Sequence, residues 1–192
     1  MKIPFVTFLP MHNEIRKELD DAYKKVIDTS YFIQGKECHR FEEEYASYCG
    51  TKYCVGVGTG LDAIYLILKA LEIKKDDEVI VPSNTYIATA LAVSFTGAKP
   101  VFVEPTIETY NIDVDRIEER ITERTKAIIA VHLQGRAADM DEVNAIAKTH
   151  GLFVIEDAAQ GHGTKYKGKK VGGAIRCGGV EFLSWKKSRC VR

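Results

Sequence analysis

Two neighbouring carboxylates follow an apolar run late in the chain. The run reads LFVIED over 152–157, and Glu156 and Asp157 are its last two residues. Successive side chains of a strand point to opposite faces, so only one of these carboxylates needs to face a ligand. A buried carboxylate needs a cationic partner, which a protonated ring nitrogen would supply. Gln160 lies within reach of the same pocket. The alternative is that Asp157 caps a helix.

A glycine turn lies earlier in the chain, in the stretch VGVGTGLDA over 55–63. This pattern is typical of a strand, a tight turn and a helix whose first N–H groups can hold a phosphate. The glycines also fit a loose dinucleotide fingerprint. However, the next strand pattern ends in VIVPSN, without the acidic residue that holds a ribose. We therefore expect a lone phosphate rather than NAD, with a plain tight turn as the alternative.

Three further side chains follow predicted strands. Tyr86, in VIVPSNTYIATA, can stack on a flat heterocycle, and a tyrosine packed in the core is the alternative. We interpret His132 and His162 as hydrogen-bonded structural residues. The basic stretch KYKGKKVGG over 165–173 predicts a solvated hairpin turn. No spacing of histidine, cysteine and acidic residues predicts a metal site.

Alternating strand and helix patterns position these residues. Two amphipathic helices are predicted first, over 13–30 and 38–50. Short strands rich in valine and isoleucine are then predicted over 52–57, 77–82, 99–105, 125–132 and 152–157. The helices predicted between them cover 61–71, 85–97, 113–123 and 139–151. Such strands are typical of a parallel sheet with helices on both faces, so we expect a three-layer α/β/α domain. Its ligand site should lie at the carboxyl ends of the strands.

Composition excludes several classes of protein. The chain has 192 residues, of which 45% are hydrophobic and 28% charged, as in globular proteins. Its 27 acidic and 27 basic side chains balance, which removes the electrostatic argument for a nucleic acid or an anionic membrane as partner. We recognise no signal peptide or membrane span, and the five cysteines have no CxxC spacing. We therefore expect a cytoplasmic protein with reduced thiols.

The motifs together resemble those of the DegT/StrS-type nucleotide-sugar aminotransferases, which use pyridoxal 5′-phosphate (PLP) on the fold-type-I scaffold. In order, they are IQGKECHRFEEEYASYCG, VGVGTGLDAIYLIL, VPSNTYIATALAV, GAKPVFVEP, TYNID, HLQGRAADMDEVNAIAKTHGLFVIEDAAQGHG and YKGKKVG. The resemblance runs from Ile3 to about Ile175. It implies that residues 1–175 are the PLP-binding large domain, truncated before its final strands and the small domain.

The resemblance also implies roles for individual residues. Tyr86 would stack on the pyridine ring, Asp157 would pair with its protonated nitrogen, and Gln160 would lie beside its hydroxyl. The cofactor phosphate would be held by the backbone N–H groups of Gly60, Leu61 and Asp62.

The implied activity is ping-pong transamination in a homodimeric enzyme. An amino acid, usually glutamate in this family, supplies the amine for a keto group on a nucleotide-linked sugar. The stretch VFVEP…TYNID is most similar to members acting on dTDP-3-keto-6-deoxyhexoses.

The family's Schiff-base lysine lacks its usual surroundings here. Lys186 and Lys187 lie at about the right distance, but the glycine, proline and asparagine of the family's lysine loop are absent. Synonymous codons for Arg176–Arg192 exist whose second reading frame encodes Asp-Ala-Ala-Ala-Leu-Ser-Phe-Tyr-Pro-Gly-Lys-Asn-Leu-Gly-Ala-Leu, which closely matches that loop. We therefore predict a frameshift near Ile175–Arg176 that splits the lysine codon, an aberrant tail over 176–192, and an inactive chain. A genuine divergent tail is the alternative.

Three other functions stay open. One is a PLP-dependent sugar dehydratase of the same family, in which histidine replaces the lysine; the second reading frame disfavours it. Another is a non-catalytic protein that binds PLP or a nucleotide sugar. The last is a Rossmann dinucleotide module, disfavoured by the missing acidic residue.

Overall fold

The computed structural model describes residues 4–172 and the backbone of 184–186. The helices are α1 Leu9–Glu14, α2 Arg16–Thr29, α3 Lys36–Cys49, α4 Gly60–Ala70, α5 Ile87–Phe95 and α6 Met140–His150. The strands are β1 Val55–Val57, β2 Glu78–Pro82, β3 Lys99–Val103, β4 Thr125–Val131, β5 Phe153–Asp157, β6 Lys165–Tyr166, β7 Lys169–Lys170 and β8 Ser184–Lys186. The chain divides into two units, Met1–Phe41 and Glu42–Arg192.

The first unit contains α1, α2 and the start of α3. The helix predicted over 13–30 is confirmed, although Ile15 interrupts it between α1 and α2. Two ion pairs at i,i+4 spacing, Arg16–Asp20 and Lys17–Asp21, lie along the surface of α2. No residue of α1 or α2 is buried.

The second unit is built on a four-stranded parallel sheet with the order β3-β2-β4-β5. All five residues of β2 are buried, as expected for a central strand covered on both faces. β1 pairs in parallel with β8, in a two-stranded sheet of its own within the described part of the chain.

Side chains alternate between two cores along each central strand. Val79 and Ile129 pack with α4 and α5 on one face of the sheet. Ile80 and Ile128 pack with α6 and with Ile117 on the other face. The three-layer α/β/α architecture predicted from the apolar strand patterns is therefore confirmed.

The α-helix predicted over 113–123 is wrong. This segment forms two short 3₁₀ turns, Val114–Arg116 and Glu118–Arg120, with Ile117 fully buried between them. Asp113 caps the first turn by accepting from a backbone N–H of that turn. The helical path ends early, because Ile121 is extended with φ −76° and ψ 130°. Beyond it, the Thr122 hydroxyl donates to buried Glu78 at 2.6 Å and ties this end of the segment to the sheet.

The hairpin predicted within 165–173 is confirmed. β6 and β7 are antiparallel, and Lys167 and Gly168 form the turn with φ values of 48° and 83°. Two consecutive positive φ values are the signature of a type I′ turn.

Two absences apply only to the described residues. No helix there is long and apolar enough to cross a bilayer. Cys38, Cys49 and Cys54 form no disulfide there, while Cys177 and Cys190 lie outside the described residues.

Candidate active site

The candidate site lies at the carboxyl ends of the strands, on the α4–α5 side of the sheet. Asp157 is the last residue of β5, and Ile155 two positions earlier packs into the α4–α5 core. The period of two therefore places Asp157 on that same side. α5 begins shortly after β2 ends, and α4 begins shortly after β1 ends. The amino terminus of α5 lies at the edge where Asp157 lies, since Thr89 in its first turn contacts Asp157.

Asp157 is half-buried and is held by two neutral donors. Its Oδ2 accepts a hydrogen bond from the Thr89 hydroxyl of α5 at 2.9 Å, and its Oδ1 accepts one from the Ala159 N–H at 3.1 Å. No described ion pair involves this carboxylate, so its charge lacks a cation among residues 4–172. The helix-cap alternative is wrong, because Ala159 lies in a turn and no helix follows within the described residues.

Thr89 was not among the residues predicted from the sequence. It lies in the first turn of α5, four residues after Thr85 in the preceding loop. Their hydroxyl oxygens are 2.9 Å apart, and Thr89 is fully buried. A buried threonine in an otherwise apolar helix face needs a hydrogen-bond partner, and Asp157 is that partner.

Glu156 faces the opposite side of the sheet, as strand alternation predicts. Its Oε2 accepts hydrogen bonds from the His132 Nε2 at 2.9 Å and from the Gly172 N–H at 2.7 Å. The His132 Nδ1 accepts from the Ala138 N–H at 3.1 Å, which assigns the neutral ring with its proton on Nε2. The interpretation of His132 as a structural histidine is confirmed.

The glycine turn before α4 offers two backbone donors to an anion. Thr59 caps the helix: its hydroxyl accepts from the Asp62 N–H at 3.1 Å and donates to the Asp62 carboxylate at 2.8 Å. The N–H groups of Gly60 and Leu61, in the first turn, have no acceptor within the helix. The Asp62 N–H, by contrast, is already bonded. A Cβ on Gly58 would lie 2.9 Å from the Asp62 carboxylate, so a larger residue there would displace that side chain.

Tyr86 and Gln160 lie on loops beside these groups. Tyr86 immediately precedes α5 and its side chain is 68% exposed, so the alternative of a core tyrosine is wrong. Gln160 is exposed, and its Oε1 accepts a hydrogen bond from the Gln134 N–H at 2.8 Å. This bond ties Gln160 to the turn that follows β4. His162 is exposed and lies beside the ring of Tyr45. It takes no part in the hydrogen bonds of Glu156 and Asp157 given above.

The two candidate lysines lie in the part of the chain where only the backbone of 184–186 is described. The backbone of Lys186 belongs to β8 and lies opposite Val57, one residue before the glycine turn at Gly58. Its side chain and the whole of Lys187 lie outside the described residues.

Two other features contribute nothing to this site. A cavity of about 280 Å³ lies against the opposite core, lined in part by Arg136, Asp139 and Tyr166. Within the described ranges, no group of three histidine, cysteine or acidic residues could hold a metal ion.

The arrangement fits a flat cationic ring that carries a phosphate. The half-buried Asp157 carboxylate has no cationic partner among residues 4–172, Tyr86 presents an exposed ring, and the start of α4 has N–H groups for an anion. Asp157 and Tyr86 follow β5 and β2 of the four-stranded sheet, and α4, which follows β1, packs with α5 on one face of that sheet.

Comparison with known proteins gives a family match over most of the chain. Residues 13–188 match the model of the DegT/DnrJ/EryC1/StrS aminotransferase family. The chain is 52% identical over 180 residues to the dTDP-3-amino-3,6-dideoxy-alpha-D-galactopyranose transaminase of Aneurinibacillus thermoaerophilus. That alignment covers 94% of this chain and 50% of the relative.

Two solved structures extend the comparison. DesV of S. venezuelae, in complex with a ketimine intermediate, superimposes with a TM-score of 0.87 at 46% identity, over 90% of this chain and 47% of that one. A GDP-4-keto-6-deoxymannose-3-dehydratase with a trapped PLP-glutamate geminal diamine gives a TM-score of 0.76 at 32% identity, over 81% and 42%. The chain therefore has the fold of the fold-type-I enzymes, and it spans about half the length of the relatives it matches.

Proposed function

The chain belongs to the DegT/DnrJ/EryC1/StrS aminotransferase family, and on that premise we propose that it forms the PLP-binding part of a nucleotide-sugar aminotransferase. The observation that carries the proposal is Asp157, a half-buried carboxylate with two neutral donors and no described cation. A protonated pyridine nitrogen is the missing partner for such a group.

Bound PLP supplies an electron sink for a carbanion next to the transferred nitrogen, provided that its ring nitrogen stays protonated. Asp157 would keep that proton in place, and Tyr86 would stack on the ring. Gln160 would orient the ring hydroxyl. Gly60 and Leu61 would bind the phosphate through their backbone N–H groups. The Asp62 N–H, also expected to bind the phosphate, does so only if it leaves Thr59.

The substrate class follows from the relatives. The A. thermoaerophilus protein is named as a transaminase of a dTDP-3-amino-3,6-dideoxy sugar, and a Streptomyces venezuelae relative, 44% identical, as one of a dTDP-3-amino-3,4,6-trideoxy sugar. We propose that the whole protein aminates a dTDP-linked 3-keto-6-deoxyhexose with glutamate as donor. We also propose that it works in the cytoplasm as a homodimer.

The Schiff-base lysine is proposed at Lys186 or Lys187, or at the lysine that the second reading frame encodes between them. The match to the family model extends to residue 188, past the end of the motif similarity at about Ile175. Under the frameshift proposal, residues 1–175 are the large domain and 176–192 are its mistranslated continuation. Sequencing the genomic DNA from Gly172 to Arg192 tests this, because the codons either encode the lysine loop in the second frame or do not.

The activity is tested by isotope transfer. The gene restored to the second frame is expressed, and the protein is incubated with ¹⁵N-glutamate and a dTDP-3-keto-6-deoxyhexose. We expect ¹⁵N in the sugar product, at least a hundredfold less from an Asp157→Asn variant, and none from the chain that carries the Arg176–Arg192 tail. Loss of water from the sugar without nitrogen transfer would instead identify a dehydratase. Neither reaction, together with no PLP absorbance, would refute the proposal.

A further inference from the structure

We propose that Thr89 is a positioning residue for the Asp157 carboxylate, and that Thr85 holds the Thr89 hydroxyl in turn. The relevance of this chain of hydrogen bonds to PLP rests on the proposed function. The hydrogen bonds themselves involve only residues within the segment 85–157. Thr85 lies in the loop before α5, Thr89 in the first turn of α5 and Asp157 at the end of β5, so these hydrogen bonds join two elements of the site.

Counting protons shows which group donates and which accepts in each of these hydrogen bonds. An ionised carboxylate can only accept hydrogen bonds, and a threonine hydroxyl has a single proton to donate. At 2.9 Å the Thr89 hydroxyl donates to the Asp157 Oδ2, so it has no proton left for Thr85. The contact of 2.9 Å between the two threonines must therefore be a donation from Thr85 to Thr89. This order holds Asp157 as the charged acceptor that a protonated ring nitrogen requires.

Burial makes Thr89 a rigid support. Its side chain is 1% exposed, and a β-branched residue in a helix has restricted χ1 freedom. The helix that carries Thr89 begins directly after Tyr86, the proposed stacking residue. A single turn of the chain therefore carries both Tyr86, which would stack on a bound ring, and the hydroxyl that orients Asp157.

The Thr89 hydroxyl fixes the rotation of the carboxylate about its Cβ–Cγ bond. Asp157 has one donor on each oxygen, Thr89 on Oδ2 and the Ala159 N–H on Oδ1. Two donors on different oxygens define the plane of the carboxylate, whereas one donor leaves it free to rotate. Without Thr89, the contact at Ala159 should therefore weaken as well.

The Ala159 amide proton reports on this arrangement without any cofactor. Its exchange rate with water is measured by NMR in the full chain and in Thr89→Val, which keeps the shape of the side chain but removes the hydroxyl. We expect about fivefold faster exchange in Thr89→Val and a rate within about twofold of wild type in Thr89→Ser. Thr96→Val is the matched control, since it removes a hydroxyl from the other end of the same helix.

Three results would overturn the proposal. The first is an unchanged Ala159 exchange rate in Thr89→Val. The second is an equal increase in Thr89→Ser, since the restored hydroxyl should rescue the contact. The third is an equal increase in the Thr96→Val control. If Thr89→Val does not fold, Thr85→Val decides, because it removes the donor to Thr89; faster Ala159 exchange supports the proposal and an unchanged rate refutes it.

A second readout separates this proposal from the proposed function. The same variants are titrated with pyridoxamine 5′-phosphate, which needs no covalent lysine. We expect Thr89→Val to bind about tenfold more weakly than wild type, with Thr89→Ser and Thr96→Val within about twofold. If wild-type protein does not bind pyridoxamine 5′-phosphate, the PLP site is refuted. The role of Thr89 is then tested by the exchange rate of the Ala159 amide alone. Equal affinity in wild type and Thr89→Val refutes the role of Thr89 and leaves the PLP site standing.

Discussion

Two glutamate–histidine pairs of nearly equal length lie in contrasting environments. Glu156 and His132 are joined at 2.9 Å, with side chains 8% and 0% exposed. Glu118 and His150 are joined at 3.0 Å, with side chains 60% and 33% exposed. The paired groups are the same, but Glu156 is buried and also accepts a hydrogen bond from the Gly172 N–H. Replacing each glutamate therefore compares a buried acceptor of two hydrogen bonds with an exposed acceptor in its effect on the free energy of unfolding.

The expected costs follow from what each glutamate leaves behind. In Glu156→Ala, the buried N–H of His132 and the partly buried N–H of Gly172 both lose their acceptor, at about 1–3 kcal/mol each, so we expect a loss of about 3 kcal/mol. In Glu156→Gln, a single amide oxygen can still accept from both donors, and only the charge is lost, for about 1 kcal/mol. In Glu118→Ala, we expect less than about 0.5 kcal/mol because water replaces the exposed contact.

Urea unfolding at neutral pH, followed by far-ultraviolet circular dichroism, measures all three variants. Equal costs for Glu156→Ala and Glu118→Ala would refute the reasoning, because a buried acceptor of two hydrogen bonds would then be worth no more than an exposed one. A cost for Glu156→Gln as large as that for Glu156→Ala would refute the assignment of both donors to one oxygen. An unchanged m-value is required for each comparison.

Two further predictions concern backbone geometry and pH. Gly172→Ala should destabilise the chain by about 2 kcal/mol or more, and Gly168→Ala by about 1 kcal/mol. Both glycines have positive φ, but only at Gly172 would the new Cβ meet another side-chain carbon, at 2.6 Å; equal losses in urea unfolding would contradict this. Hydrogen bonds from Thr122 and Arg124 lower the pKa of Glu78. Its stabilising effect is thus present above its unfolded pKa of about 4.3 and is lost as pH falls through the lower folded value. Acid should therefore destabilise wild type more than Thr122→Val, and equal pH dependence would refute this.

Local patterns were sufficient to predict most of the fold. Apolar strands separated by amphipathic helices predicted the parallel sheet, because only a sheet covered on both faces tolerates a run such as Glu78–Pro82 with every residue buried. The same reasoning placed Asp157 at the carboxyl edge. Strand alternation correctly assigned Glu156 and Asp157 to opposite sides.

Contacts between distant segments could not be predicted. Thr89 and Asp157 are 68 positions apart, and their hydrogen bond depends on how α5 packs against the sheet. The end of the segment over 113–123 is likewise tied to the sheet by Thr122, which bonds to Glu78, 44 positions away. The hydrogen bond from the Asp62 N–H to the Thr59 hydroxyl could have been predicted from the sequence, because a threonine three residues before an acidic residue is a capping pattern.

The most direct test of the account is the affinity of the chain for pyridoxamine 5′-phosphate, measured by calorimetric titration in wild type, Asp157→Asn and the surface control Glu118→Gln. Pyridoxamine 5′-phosphate presents the ring nitrogen and the phosphate but forms no bond to a lysine, so it tests only the described site. We predict saturable binding to one site, unchanged in Glu118→Gln and weakened about thirtyfold in Asp157→Asn by loss of the charged hydrogen bond. No saturable binding to wild type, or equal affinity in Asp157→Asn, would contradict the central claim that Asp157 anchors a PLP site.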